Sequence, residues 1–176
     1  MRNIFKERIG LTIPEALIVA TLFSLLFGAC LMILVSGSDS WQVNRIKIEV
    51  QQEVRKAIEA IKADLVQGGS STIEGVPADD NWYTTITFKV PSGVSGGAIV
   101  WPSDKTQFLL SGPDSNELRR KVGTTSKTSA HFIETLQFRR LAGAPNIVEV
   151  NLEGEKATMR GRLINLNTTF KVKLRN

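Results

Sequence analysis

The sequence predicts an α+β protein, in which one long helix runs from an apolar half into a one-sided half and packs there on an antiparallel β head. Three observations carry this expectation. Residues 16–35 hold no charge. Apolar residues then recur every three to four positions as far as Leu65, as on one face of a helix. Beyond Gly69 the period drops to two, with turn residues between the runs.

The uncharged run of 20 residues would rise about 30 Å as a helix, enough to cross a bilayer core. Arg2, Lys6 and Arg8 precede it and SerGlySerAspSer follows, so the positive-inside rule places the start of the chain in the cytoplasm and the rest outside. A secretory signal peptide competes, but its apolar core is shorter, roughly 7–15 residues, and no small-x-small site closes this run. PheGlyAlaCys ending at Cys30 loosely matches a lipoprotein signal, which would make the chain a membrane-anchored lipoprotein. Against that, LeuMetIleLeuVal continues the apolar run where a polar linker would be expected.

SerGlySer at 36–38 weakens the helix, and Asp39 or Ser40 offers a cap for its renewal, with Trp41 at the expected membrane interface. Val43, Ile46, Val50, Val54, Ala57, Ile58, Ile61 and Leu65 then form the predicted core face, while Lys47, Gln51, Arg55, Glu59 and Lys62 take the other side. Gly68 and Gly69 end the helix.

Seven runs read as strands: 84–90, 98–101, 107–110, 117–122, 135–140, 147–152 and 168–174. ProSerGly, GlyGly, ProSerAsp, SerGlyProAspSer and GlyAlaProAsn separate most of them. Several short strands after one helix predict a sheet wrapped on that helix. The expected organisation is therefore a short basic segment at 1–10, a membrane helix at 11–35, an amphipathic continuation at 36–67 and a β head at 68–176.

Charge is unevenly laid out. The chain carries +5 overall, but residues 11–118 carry 7 basic and 12 acidic side chains, whereas 119–176 carry 12 and 4. Two halves of opposite sign are expected to neutralise each other on folding. The rival reading is a nucleic-acid surface built on Arg119, Arg120, Lys121, Arg139, Arg140, Arg160, Arg162, Lys171, Lys173 and Arg175. Strand alternation puts only some of these on one face, and Phe88, Phe138 and Phe170 share phase with Ile86, Leu136 and Val172 as core residues rather than base-stacking platforms.

Catalysis and cofactors find no support. Cys30 and His131 are the single cysteine and histidine, so the head has neither a disulfide nor a His/Cys metal set, and no Walker loop, nucleophile elbow or dinucleotide fingerprint is present. AlaAspAspAsn at 78–81 has oxygen ligands for calcium without the spacing of an EF-hand, and reads as a polar turn.

Glu15 stands at the edge of the apolar run, where a carboxylate is costly unless paired or hydrated. Pro14 is tolerated just inside a helix start because the first N–H groups have no acceptor within the helix. The stretch Gly10-Leu11-Thr12-Ile13-Pro14-Glu15, ahead of an apolar helix, resembles the class III leader of type IV prepilins and type II secretion pseudopilins. Leu11 stands where that family most often has Phe, and Pro14 where it has an apolar residue.

The resemblance implies cleavage between Gly10 and Leu11 by a prepilin peptidase, methylation of the Leu11 amine, and a role for Glu15 as counter-charge to an N-terminal amine during assembly. It also implies the partners, namely sister pilin or pseudopilin subunits and an inner-membrane assembly platform. AlaIleGluAlaIleLysAlaAspLeu at 57–65 and the closing LysLeuArgAsn are similar to minor pilins of the W type and minor pseudopilins of the J type. The function implied is that of a structural filament subunit, with DNA uptake by a competence pilus as an alternative.

Overall fold

A computed structural model describes residues 12–175. Its first element, α1 (Ile13–Leu65), is one helix of 53 residues without a break. The expected interruption at 36–38 is absent. Gly37 costs about 1 kcal/mol relative to alanine in a helix, too little to stop propagation between good helical sequence on both sides. Ser40 does not cap a new helix; its hydroxyl donates back to the Ser36 carbonyl at 3.0 Å.

The chain divides into two compact units, residues 1–42 and 43–176, within which the described residues are taken in turn. In the first, every residue from Ile13 to Val35 is exposed, and from Ala16 onward this helix surface is uncharged and mostly apolar. That helix is long and apolar enough to cross a membrane. Its hydroxyls need no outside partner: Thr21 donates to the Ile18 carbonyl at 3.1 Å and Ser24 to that of Ala20 at 2.8 Å.

The second unit is the head. Among the described residues nine strands follow the helix: β1 (Ile86–Phe88), β2 (Gly93–Ser95), β3 (Ala98–Val100), β4 (Thr106–Ser111), β5 (Glu117–Val122), β6 (Thr125–Ala130), β7 (Ile133–Leu141), β8 (Ala144–Ala157) and β9 (Leu163–Lys173). They form antiparallel sheets in the orders β1-β4-β5-β6 and β7-β8-β9, with β2 and β3 as a separate hairpin. The layout is α+β and pilin-like, a long helix whose second half packs on antiparallel sheets.

Two strands escape the sequence pattern. β6 reads ThrSerLysThrSerAla, with no apolar alternation until Ala130, and is a strand because it pairs with β5. β2 is GlyValSer, exposed throughout, and exists only by pairing with β3. β8 reaches 14 residues because its inward residues Val148, Val150 and Leu152 are followed by Gly154, where the sheet meets the helix.

One core joins the helix to both large sheets. Val50, Val54, Ala57, Ile61 and Leu65 pack with Ile86, Phe88, Phe108, Leu118, Ile133, Leu136, Phe138, Val148, Val150, Leu152 and Val172. Phe88 stacks on Phe108 with centroids 6.2 Å apart. The glycines after the helix are required for space rather than for a left-handed cap, since neither has a positive φ. A Cβ on Gly68 would come within 2.9 Å of the Phe88 ring, and one on Gly69 within 2.6 Å of Trp101.

Candidate functional site

The first candidate is the start of the helix. Gly10 and Leu11, where processing and methylation are expected, lie outside the described residues. Glu15 is described, and its carboxylate turns back onto Thr12: one oxygen accepts the Thr12 backbone N–H at 2.9 Å and the Thr12 hydroxyl at 2.7 Å. The Thr12 carbonyl accepts the first helical bond, from the Ala16 N–H at 3.0 Å. Thr12-Ile13-Pro14-Glu15 is thus a helix start in which the third helical residue satisfies the N-cap N–H, one half of a capping box. Pro14 falls at the second helical position, where no hydrogen bond is lost. Thr-x-x-Glu ahead of an apolar run is the sequence signal of such a helix start.

The predicted core face of the helix is described throughout. Val50, Val54, Ile61 and Leu65 are buried, Ile46 and Ile58 are partly buried against the core, and Val43 is half-buried at the start of the head. Glu53 also lies on this face and is buried. Its carboxylate accepts the His131 backbone N–H at 2.9 Å and the Lys56 ammonium at 2.6 Å. Burial acts to raise its pKa, but the Lys56 bond, the His131 N–H and the Lys56 charge outweigh it and hold the carboxyl below the usual range. Polarity hid Glu53 from a reading that searched for apolar spacing.

The basic residues of the second half are largely engaged. Arg120 pairs with Asp64 on the helix, Lys156 with Glu49 at 2.5 Å, Arg119 with Glu117 at 2.9 Å and Arg139 with Glu149 at 2.5 Å. Arg139 also covers the Trp82 ring at 4.5 Å. Arg140 donates to the Pro145 carbonyl at 2.8 Å. Asp64 and Glu49 on the helix thus meet cations of the basic half, while Glu117 and Glu149 are met by arginines of the strands themselves. Phe88 and Phe138 are fully buried, and Phe170 is half-buried beneath Lys62 at 5.2 Å.

The acidic stretch at 78–81 is occupied by local bonds. Asp79 accepts the Asn81 N–H at 3.1 Å and the Tyr83 hydroxyl at 2.5 Å, and Asp80 accepts the Ala142 N–H at 3.1 Å. Among the described residues no three His, Cys, Asp or Glu side chains are grouped to hold a metal ion. Comparison with protein-family models, with curated proteins and with solved structures finds no match.

Proposed function

We propose that the chain is a filament subunit of the prepilin type, a minor pilin or pseudopilin of a type IV pilus or type II secretion pseudopilus. Its work is assembly rather than turnover. One observation carries the reading: a helix apolar on every side to Val35 continues unbroken into a head-packing face from Val50, directly after the Gly10-Leu11 junction and Glu15. A bare apolar helix surface suits first a bilayer and then a bundle of like helices.

On this reading the start of the chain lies in the cytoplasm and the head on the far side of the inner membrane. A prepilin peptidase cuts after Gly10 and methylates Leu11, and the mature chain passes from the assembly platform to sister subunits. Glu15 keeps its Thr12 bonds until an incoming amine competes for the carboxylate.

Intact-mass measurement of the membrane-extracted protein tests the reading. The mass should correspond to a chain starting at Leu11 with one methyl group, and Gly10→Phe should block cleavage, since the peptidase needs close approach to that backbone. A chain that keeps Met1, or one carrying lipid on Cys30, would rule the proposal out.

A further inference from the structure

The second large sheet of the head ends on an open edge. β9 runs for 11 residues and pairs with β8 along its whole length, but among the described residues no strand lies on its other side. Its even-numbered residues bond β8, in phase with Leu174, whose N–H donates to the Asn146 carbonyl at 2.8 Å. Backbone groups alternate in direction along such a strand, so the N–H and C=O of Asn165, Asn167, Thr169 and Lys171 point away from β8. Among the described residues no hydrogen bond reaches them. The edge is taken up just past the end of β9, where Arg175 donates to the Gly68 carbonyl at 3.1 Å and its own carbonyl accepts the Ser70 N–H at 3.0 Å. The chain thus begins a parallel pairing on this edge and leaves the rest of it open.

Beside the edge lies a groove of about 670 Å³ between β9 and the flank of the head helix. Leu166 and Thr168 line it from the strand, and Ile48, Arg55, Ile58 and Lys62 from the helix. Ile48 is 54% exposed, and Ile58 and Leu166 are only partly buried against the core. The sheet therefore stops short of covering this stripe of the helix. Charge on the groove is mostly positive: β9 carries Lys171 and Lys173 and no acidic residue, and on the helix side Arg55 and Lys62 outnumber Glu59. β8 shows which chemistry β9 accepts on its covered edge. There Val148, Val150 and Leu152 alternate with Glu149, Asn151 and Glu153, which stand opposite Lys171, Thr169 and Asn167, and Lys171 approaches Glu149 at 3.7 Å.

We infer that the open edge of β9 and the groove beside it take up an extended segment of a partner protein, apolar at alternate positions and acidic between them. Its backbone would pair with Asn165, Asn167, Thr169 and Lys171 and add a fourth strand to the β7-β8-β9 sheet. Its apolar side chains would cover Ile48 and Ile58, and its carboxylates would stand beside Lys171 as Glu149 does from the other side. A long unpaired edge is a template for such pairing, and the lysines at one end of it oppose a partner of like sign. The β9 of a second copy would bring further lysines and no carboxylate to a groove that is already basic. Nucleic acid would use the cations but leave the backbone row unpaired. The inference stands on the head alone and is independent of the membrane and filament readings.

The test uses the full chain in detergent micelles and, as probe, a capped octapeptide of alternating Val and Glu. Hydrogen exchange resolved by residue reads the edge directly. With the peptide in large excess, the amides of Asn165, Asn167, Thr169 and Lys171 should slow by about tenfold or more, while those of Leu166, Thr168 and Phe170, already bonded to β8, stay as they were. Octapeptides of alternating Val and Lys, or of Ser and Glu, should give no such protection. Asn167→Pro removes an outward N–H and no bond to β8, at an edge where proline is tolerated, and should abolish the effect. Ile48→Asp, at an exposed helical position, should do the same from the groove wall without touching the sheet.

Outward amides that exchange at one rate with and without the Val-Glu peptide overturn the site. Equal protection by the Val-Lys peptide overturns the acidic partner, and the same protection from a single-stranded oligonucleotide assigns the edge to nucleic acid instead. Protection that is present without peptide and grows with protein concentration gives the edge to a second copy, which also refutes the inference. Faster exchange at Leu166, Thr168 and Phe170 would mean that the peptide displaces β8 rather than extending the sheet, and refutes it too. Should circular dichroism show that Asn167→Pro disturbs the fold, Ile48→Asp still decides, because undiminished protection in that variant removes the groove from the site.

Discussion

The Glu53 carboxylate accepts the His131 backbone N–H at 2.9 Å, tying the head helix to the turn between β6 and β7 across 78 residues of sequence. Phe132, the next residue, has a φ of 60°, so this bond holds the chain where it enters an uncommon backbone region. Removing the acceptor leaves a partly buried N–H unsatisfied, at a cost of about 1–3 kcal/mol. Glu53→Ala should therefore lower the unfolding free energy of the head by that amount, read as a fall in its urea midpoint. Glu53→Gln keeps an acceptor oxygen and loses only the charge opposite Lys56, so its effect should be smaller. Equal losses in the two variants would place the stabilisation in the charge instead.

Gly154 is the point of closest approach between β8 and the helix. A Cβ there would stand 2.5 Å from the Val54 side chain and 3.1 Å from that of Val50. Valine in a helix has one strongly preferred rotamer and cannot swing aside. Gly154→Ala should cost about 1–3 kcal/mol by overpacking. Adding Val54→Ala makes room for the new methyl, so the double variant should be more stable than the sum of the single effects, as a double-mutant cycle would read.

Stability of the head should fall in acid. Arg139 holds the Glu149 carboxyl low, first through its hydrogen bond, against an opposing effect of burial and with help from its charge and from Lys171. Glu53 is held low by Lys56 and the His131 N–H despite its burial. A carboxylate with a depressed folded pKa gives its full stabilisation above the unfolded value, near 4.3 for glutamate, and loses it as pH drops through the lower folded value. Urea midpoints should thus be flat with respect to these two groups above about pH 5 and decline below it. Arg139→Gln should weaken the Glu149 share of the acid dependence, leaving that of Glu53 in place.

Glu15→Gln separates the local role of this residue from its proposed role in assembly. Glutamine also completes a capping box, so the helix start should survive and peptidase cleavage should proceed. The counter-charge for an amine entering an apolar bundle would be gone, and an unpaired buried charge is strongly unfavourable. Recovery in the filament, or co-purification with sister subunits, should therefore drop while processing stays normal. Full incorporation of the cleaved variant would confine Glu15 to capping.

The fold class and the helix with its two characters were legible in the sequence, because hydrophobic periodicity records burial directly where every second or fourth residue meets the same core. The amphipathic stripe carries Val50, Val54, Ala57, Ile61 and Leu65 into the core for that reason. Tertiary structure alone decided what depends on partners distant in sequence. β6 is a polar strand that exists because β5 lies beside it, and Glu53 is buried because the His131 N–H reaches it. Gly68, Gly69 and Gly154 are spaces whose neighbours, Phe88, Trp101 and Val54, come from other elements. The helix cap at Thr12 and Glu15 is the intermediate case, a local hydrogen-bond pattern readable from four adjacent residues. Local order leaves its mark in spacing, whereas close approach and long-range pairing are set only when the elements pack.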